Sequence, residues 1–430
     1  MKILIKNGLV INPFEKYNQK SDVLMENGKI VDIGVGIQEE KDMKIINAEG
    51  CIVTPGLIDL HVHFRDPGFL HKEEISTGMD AAAAGGFTTV VVMPNTDPTV
   101  DNVQTLSYVL DTAREKRKIN VFSASSISKN LQGNELVDMK SMAEAGAVTF
   151  IDDSNPNISA NLLYEAYKKS VELQIPITSN DKSSYFKIEG SFNRGKLSSS
   201  LNDKGYPAIA EELAVARDLL FAEDTGARIH LQSISTERAI QLIREAKERG
   251  VKVTAEGSPH HFAHCEEIVL ERGTNAKVIP PLRTKKDVDA VIRGLQDGTL
   301  DVIASDHAPH SEDEKYLPLN EAPFGLLGLE TSLGAAFTYL VHSGKLSIYE
   351  VIEKMTINPA KAMNLKTGKL TKGGDADITI IDPELEWIVD GNFKSKSKNS
   401  LFIGEKFKGK VIKTICKGHV VYEYKNVPTY

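Results

Sequence analysis

The feature that most narrows what this chain can fold into is a regular beat through its middle. Short apolar runs rich in β-branched residues alternate with stretches of helical spacing. Eight strand candidates occur in order: "GLIDLHVHF", "FTTVVVMPN", "NVFSASSI", "AVTFIDD", "IPITSN", "ARIHLQSIS", "VKVTAEGSP" and "LDVIASDHAP". Helical stretches such as "EEISTGMDAAAAGG", "NLLYEAYKKSVELQ" and "STERAIQLIREAKERG" lie between them, several closing on glycine, the residue expected just past a helix C-terminus. Eight strand-helix units point to an α/β chain of the (β/α)8 TIM type rather than an open doubly wound sheet. Residues 1 to about 54 and those after about 366 are instead short strand-like pieces, at the N-terminal end joined by "NG" turn signals. The expected organisation is a barrel over 55–365 between two β-rich ends, 1–54 and 366–430.

At 430 residues the chain is long enough for a barrel-sized core plus a smaller module. A formal charge of -8 argues against broad nucleic-acid binding, which needs concentrated Lys and Arg, but leaves room for a small anionic substrate held by a few local basic groups. Cys51, Cys265 and Cys416 are scattered and form no CxxC pair, which fits a reducing compartment and excludes a thiolate zinc site. The N-terminal "MKILIKNGLVINPF" alternates like a strand, and no apolar run approaches the ~18 residues a membrane span requires. The expectation is a cytoplasmic protein without membrane or nucleic-acid partners.

A barrel carries its chemistry at the C-terminal ends of its strands. The polar, ligand-type residues fall there: His61 and His63 on the first strand, Asn95 on the second, Asp152 and Asp153 on the fourth, Asp306, His307 and His310 on the eighth. His61 and His63, two apart on a strand, share a face. With Asp153 and Asp306 they form a set of imidazole nitrogens and carboxylate oxygens suited to Zn2+ or a similar divalent ion, which acidifies water and polarises a carbonyl, as a hydrolase requires. An acidic pair such as Asp152 and Asp153 is otherwise usually a turn or cap. Asp306, just past an apolar strand, is the candidate general acid/base, taking a proton from water and returning it to a leaving nitrogen.

Arg65, Asn95 and His310 sit at the rim and are suited to clamp a carboxylate by charge-assisted hydrogen bonds. Phe324 and Gly325 lie in a loop after the last strand, where a glycine-containing segment can close over a substrate. "AAAAGG" and the lone Trp387 read as packing.

The motifs "GLIDLHVHFRDPG", "AAAAGGFTTVVVMPNTDP", "FIDD", "PPLR" and "ASDHAPH", in this order, closely resemble those of the dihydroorotases of the amidohydrolase superfamily, in the longer bacterial class related to hydantoinases and allantoinases. The resemblance covers essentially the whole chain and implies that both termini build one β-sandwich. It makes His61, His63 and Asp306 ligands of a first metal, with Asp306 also the acid/base. It sets Asp153 in place of the carbamylated lysine of many relatives, and gives Arg65, Asn95, His310, Phe324 and Gly325 to the substrate. The implied reaction is reversible closure of N-carbamoyl-L-aspartate to L-dihydroorotate in de novo pyrimidine synthesis. A homodimer and association with aspartate transcarbamoylase are implied partners.

The departures from the family pattern are specific. Asn180 and Ser233 stand where histidines usually hold a second metal, Ile279 stands where a substrate-contacting asparagine usually precedes "PPLR", and Ser154 stands where a glycine usually follows the acidic pair. His230, three residues from Ser233, is expected on the opposite strand face. One zinc ion per subunit is therefore favoured. The alternatives are a catalytically impaired structural partner of aspartate transcarbamoylase and a cyclic amidohydrolase of hydantoinase or allantoinase type.

Overall fold

A computed structural model describes residues 2–153, 158–180 and 190–425. Ser154 lies outside the described residues. The eight strand candidates each contribute a strand: Leu57–Val62, Phe87–Val92, Asn120–Ser125, Ala147–Phe150, Ile177–Ser179, Ile229–Leu231, Val253–Gly257 and Val302–Ile303. They lie side by side in chain order and pair in parallel. The ring closes between the first and the eighth, where Val62 bridges His307, the His63 amide donates to the His307 carbonyl at 2.8 Å and the His307 amide donates to the His61 carbonyl at 3.2 Å.

Amphipathic helices such as Ala160–Leu173, Glu237–Glu248 and Lys285–Asp297 pack around the ring. The helices Ala208–Thr225 and Lys285–Asp297 end on Gly226 at φ 73° and Gly298 at φ 79°, the left-handed conformation that glycine adopts without a side-chain clash. Inside the ring, Ile58, Leu60, Val91, Met93, Ala124, Ile151, Val302 and Ala304 form an apolar plug with Ile357, Ala360 and Met363. The barrel interior is therefore packed beneath the strand ends, and the site cavity opens above them.

The "AAAAGG" stretch closes the helix Ile75–Ala84, whose alanines are buried, and a Cβ at Gly85 would lie 2.1 Å from the Leu329 carbonyl oxygen. Small residues are there for close packing.

The two chain ends build one eight-stranded sheet. Lys2–Asn12, Tyr17–Glu26, Lys29–Gly34, Lys44–Asn47 and Ile52–Pro55 join Ile378–Ile388, Lys406–Cys416 and His419–Glu423. The termini meet where Ile52–Pro55 pairs antiparallel with Ile378–Ile381. A shared core of Ile3, Ile5, Val23, Val53, Ile378, Ile380 and Ile415 lies within it. The two "NG" signals divide. Asn27 and Gly28, at φ 50° and 80°, make the expected hairpin turn, whereas Asn7 and Gly8 form a bulge within the first strand, where the register shifts between Ile5 and Gly8. A bulge and a tight turn both accept left-handed Asn, so the dipeptide alone does not separate them.

Candidate active site at the barrel mouth

Above the plug lies a cavity of about 420 Å³, lined by residues from both halves of the ring. The first strand delivers His61 and His63, and the bend after it delivers Arg65 at φ 60°. The eighth delivers Asp306 at φ 49°, a left-handed conformation uncommon outside glycine that turns the carboxylate inward. Beneath them the buried Asp59 carboxylate accepts from the His61 amide at 3.0 Å and the Ser305 amide at 3.1 Å, so one side chain fixes both strand ends.

His61, His63 and Asp306 each present one ligand atom, all within 4.8 Å of one another, and all three residues are buried. Nε2 of His61 is 3.4 Å and Nε2 of His63 is 3.6 Å from the same oxygen, Oδ1 of Asp306. Each imidazole is held from behind. Nδ1 of His61 donates to Glu256 Oε1 at 2.8 Å, and Nδ1 of His63 to Asn95 Oδ1 at 2.9 Å, so both rings turn Nε2 toward the cluster. This is the donor chemistry a divalent cation requires, and the residues fit one.

The electrostatics agree. Burial disfavours charge on Asp306, but the His61 and His63 rings outweigh it and hold the carboxyl below its usual range. Burial likewise works against a charged His61, yet Asp306 and Glu256 outweigh it and raise that ring to about 9. The cluster therefore has a strong demand for positive charge.

The acidic pair splits. Asp152 ties a loop, its Oδ1 accepting from the Ile127 and Ser128 amides, both at 2.8 Å. Asp153 faces the cavity, with Oδ2 3.6 Å from Nδ1 of His63 and Oδ1 accepting from the Asn180 amide at 2.5 Å. It lies outside the three-residue cluster, beside the His63 nitrogen that Asn95 already engages.

The remaining expected residues, Arg65, Asn95, His310, Phe324 and Gly325, all line the same cavity, as do Asn180, Ser233 and Ile279. Arg65 is braced by an Nε hydrogen bond to the Pro309 carbonyl at 3.2 Å. His310 donates from Nε2 to the Phe324 carbonyl at 2.9 Å, so its donor holds the loop as the side chain forms the wall. Burial, with Arg65 and Lys72 nearby, keeps that ring neutral. Gly325 sits at φ 133°, and a Cβ there would approach that of Ala308 to 2.7 Å.

Three contributors were not anticipated. Glu256, fully buried at the end of the seventh strand, bridges His61 and Nε2 of His230, the latter at 2.9 Å. His230 is thereby linked to the site without lining it. Asp59 and Asn399 are the others, Asn399 donating to the Ala308 and Gly325 carbonyls at 3.2 and 3.1 Å. The strand-end rule itself pointed to Glu256; Asn399 comes from a C-terminal segment with no such signal.

Comparison with known proteins agrees with this geometry. The amidohydrolase family model matches residues 52–421. The chain is 48% identical to the dihydroorotase of Clostridioides difficile (strain 630), over 98% of its own length and 99% of the relative's. It is 46% identical to the dihydroorotase of Streptococcus pneumoniae serotype 4, over 98% and 100%. Among solved structures, the L-hydantoinase (dihydropyrimidinase) from Arthrobacter aurescens superposes with a TM-score of 0.88 at 26% identity, covering 99% of this chain and 97% of that one. The chain belongs to the amidohydrolase family, among its dihydroorotases.

Proposed function

We propose that this chain is a dihydroorotase that interconverts N-carbamoyl-L-aspartate and L-dihydroorotate in pyrimidine biosynthesis, working with one zinc ion per active site. The observation that carries the reading is the meeting, in one cavity, of a His-His-Asp donor set with the Arg65 guanidinium and the Asn95 amide. The first suits an amide-hydrolysing metal centre and the second an acidic ring. Dihydroorotases at 46–48% identity over nearly the full chain support the same substrate.

A divalent cation held by His61, His63 and Asp306 supplies Lewis acidity toward the ring carbonyl and toward water. Asp306 turns Oδ1 toward both rings, leaving Oδ2 to take the proton of the attacking water and return it to the ring nitrogen as the C–N bond breaks. In the direction of synthesis the same carboxyl runs in reverse. Asn95, whose Oδ1 accepts from His63, and Arg65 both line the part of the cavity that would receive the substrate carboxylate. Asn180 gives Asp153 a neutral N–H partner, and Ser233 hydrogen-bonds to Ser258 at 3.1 Å. Neither offers an imidazole for a second metal, which supports the one-metal stoichiometry.

The reading extends to a cytoplasmic homodimer, which light scattering of the purified chain tests. Association with aspartate transcarbamoylase belongs to the second reading, an impaired structural partner, which the apolar Ile279 and the loss of second-site imidazoles favour. Elemental analysis and dihydroorotate hydrolysis before and after zinc addition, with Asp306→Ala as control, separate the two. About one metal per chain with activity lost in the control supports the enzyme; no metal and no turnover in folded protein supports the partner.

A further inference from the structure

Two lysines are buried behind the wall of the pocket. Lys277 is 2% and Lys315 7% exposed, and among the described residues neither ammonium is ion-paired with a carboxylate. Both donate to backbone carbonyls of one segment: Lys277 to Leu319 at 2.7 Å, Lys315 to Pro323 and Gly325, each at 2.9 Å. The Gly325 amide returns a bond to the Lys277 carbonyl at 2.9 Å, and the Lys277 ammonium stands 4.7 Å from the Phe324 ring centroid. The opposite side of this segment, through Pro323, Phe324 and Gly325, lines the cavity.

Burying an ammonium costs several kcal/mol unless its surroundings compensate, and a lysine is by default a solvated surface residue. Two such groups, held by carbonyl dipoles and at Lys277 also by the Phe324 ring, put positive charge in the wall. Burial, with Lys277 close by, brings Lys315 down to about 7 against the opposing pull of Glu314.

We propose that Lys277 and Lys315 are positioning residues that lock the segment 319–325 against the cavity and supply positive potential selecting a ring that carries a carboxylate. The proposal rests on the dihydroorotase reading for its substrate, but its mechanical part does not. Each lysine acts through the loop that touches the substrate and leaves the reacting atoms alone.

The test uses the full-length, metal-loaded chain with Lys315→Met and Lys277→Met, reading orotate affinity by calorimetry, KM and kcat for dihydroorotate, and amide exchange of residues 319–327. Each variant is expected to bind orotate about tenfold more weakly. KM should rise by a similar factor with kcat within about twofold, KM for a neutral hydantoin should move less, and exchange should quicken in that segment. Unchanged orotate affinity and exchange in folded variants, or a fall in kcat at constant KM, would overturn the proposal. If Lys315→Met does not fold, Lys277→Met and Lys315→Gln decide by the same readouts. A wild-type chain that binds orotate without hydrolysing dihydroorotate would sink the enzymatic reading alone; one that binds no orotate would sink the selection proposed here.

Discussion

On the side of the pocket built by the first and eighth strands, the polar side chains offer a charge or an imidazole: His61, His63, Arg65, Asp306 and His310. On the side built by the fifth and sixth, the matching positions offer an amide and a hydroxyl, Asn180 and Ser233. The backbones do not differ in the same way. Ser233 sits at φ 49°, as Asp306 does, in a left-handed conformation that costs a non-glycine residue on the order of 1 kcal/mol or more. The strain has a use, because the Ser233 amide donates to Glu256 Oε1 at 3.2 Å, the oxygen that orients His61. The sixth strand end thus serves the His61 side of the cluster through its main chain, whichever side chain it carries.

The contrast is broken most severely by Asp306→Ala, which should lower dihydroorotate turnover by roughly 10²–10⁴-fold, measured at saturating metal. Activity within tenfold of wild type would move the acid/base to another group. Next, Arg65→Ala should reduce kcat/KM for dihydroorotate by about 10–100-fold while changing that for a neutral hydantoin by less than about threefold. Equal losses on both substrates would assign Arg65 to the fold rather than to the carboxylate.

Glu256→Gln should weaken metal affinity by about 10–100-fold, read by competition with a chelator, because His61 loses the carboxylate behind it. Unchanged affinity would show that a neutral acceptor at this position orients His61 as well as the carboxylate does. The smallest change in turnover is expected from the double substitution Asn180→His with Ser233→His, which should raise bound metal from about one to about two per chain by elemental analysis. Should the count stay at one, the two halves differ in backbone as well as in side chain.

Much of this was legible in the sequence because strand periodicity and the strand-end rule act locally. They found all eight strands, and the nine residues expected at the site line one cavity. Asp153 was the member of the acidic pair expected to face the site, and it lines the cavity while Asp152 ties a loop, since neighbours at a strand end point opposite ways. Lys277 and Lys315 were invisible. A lysine's burial is decided by carbonyls that the fold brings to it, and Leu319 lies 42 residues from Lys277. Glu256 sits at a strand end and could be suspected from that alone, but its partner His61 lies 195 residues away and could not be.

The seam that closes the barrel passes through the backbones of His61, His63 and His307. Asp59 and Ser305, tied just beneath, are 246 positions apart in the chain. A nascent chain therefore owns two of its three donors early and cannot use them until the eighth strand leaves the ribosome and completes the ring. Long-range closure of this kind comes late and slowly. A cation that bound only the finished seam would favour the folded state by mass action, coupling metal binding to completion of the ring.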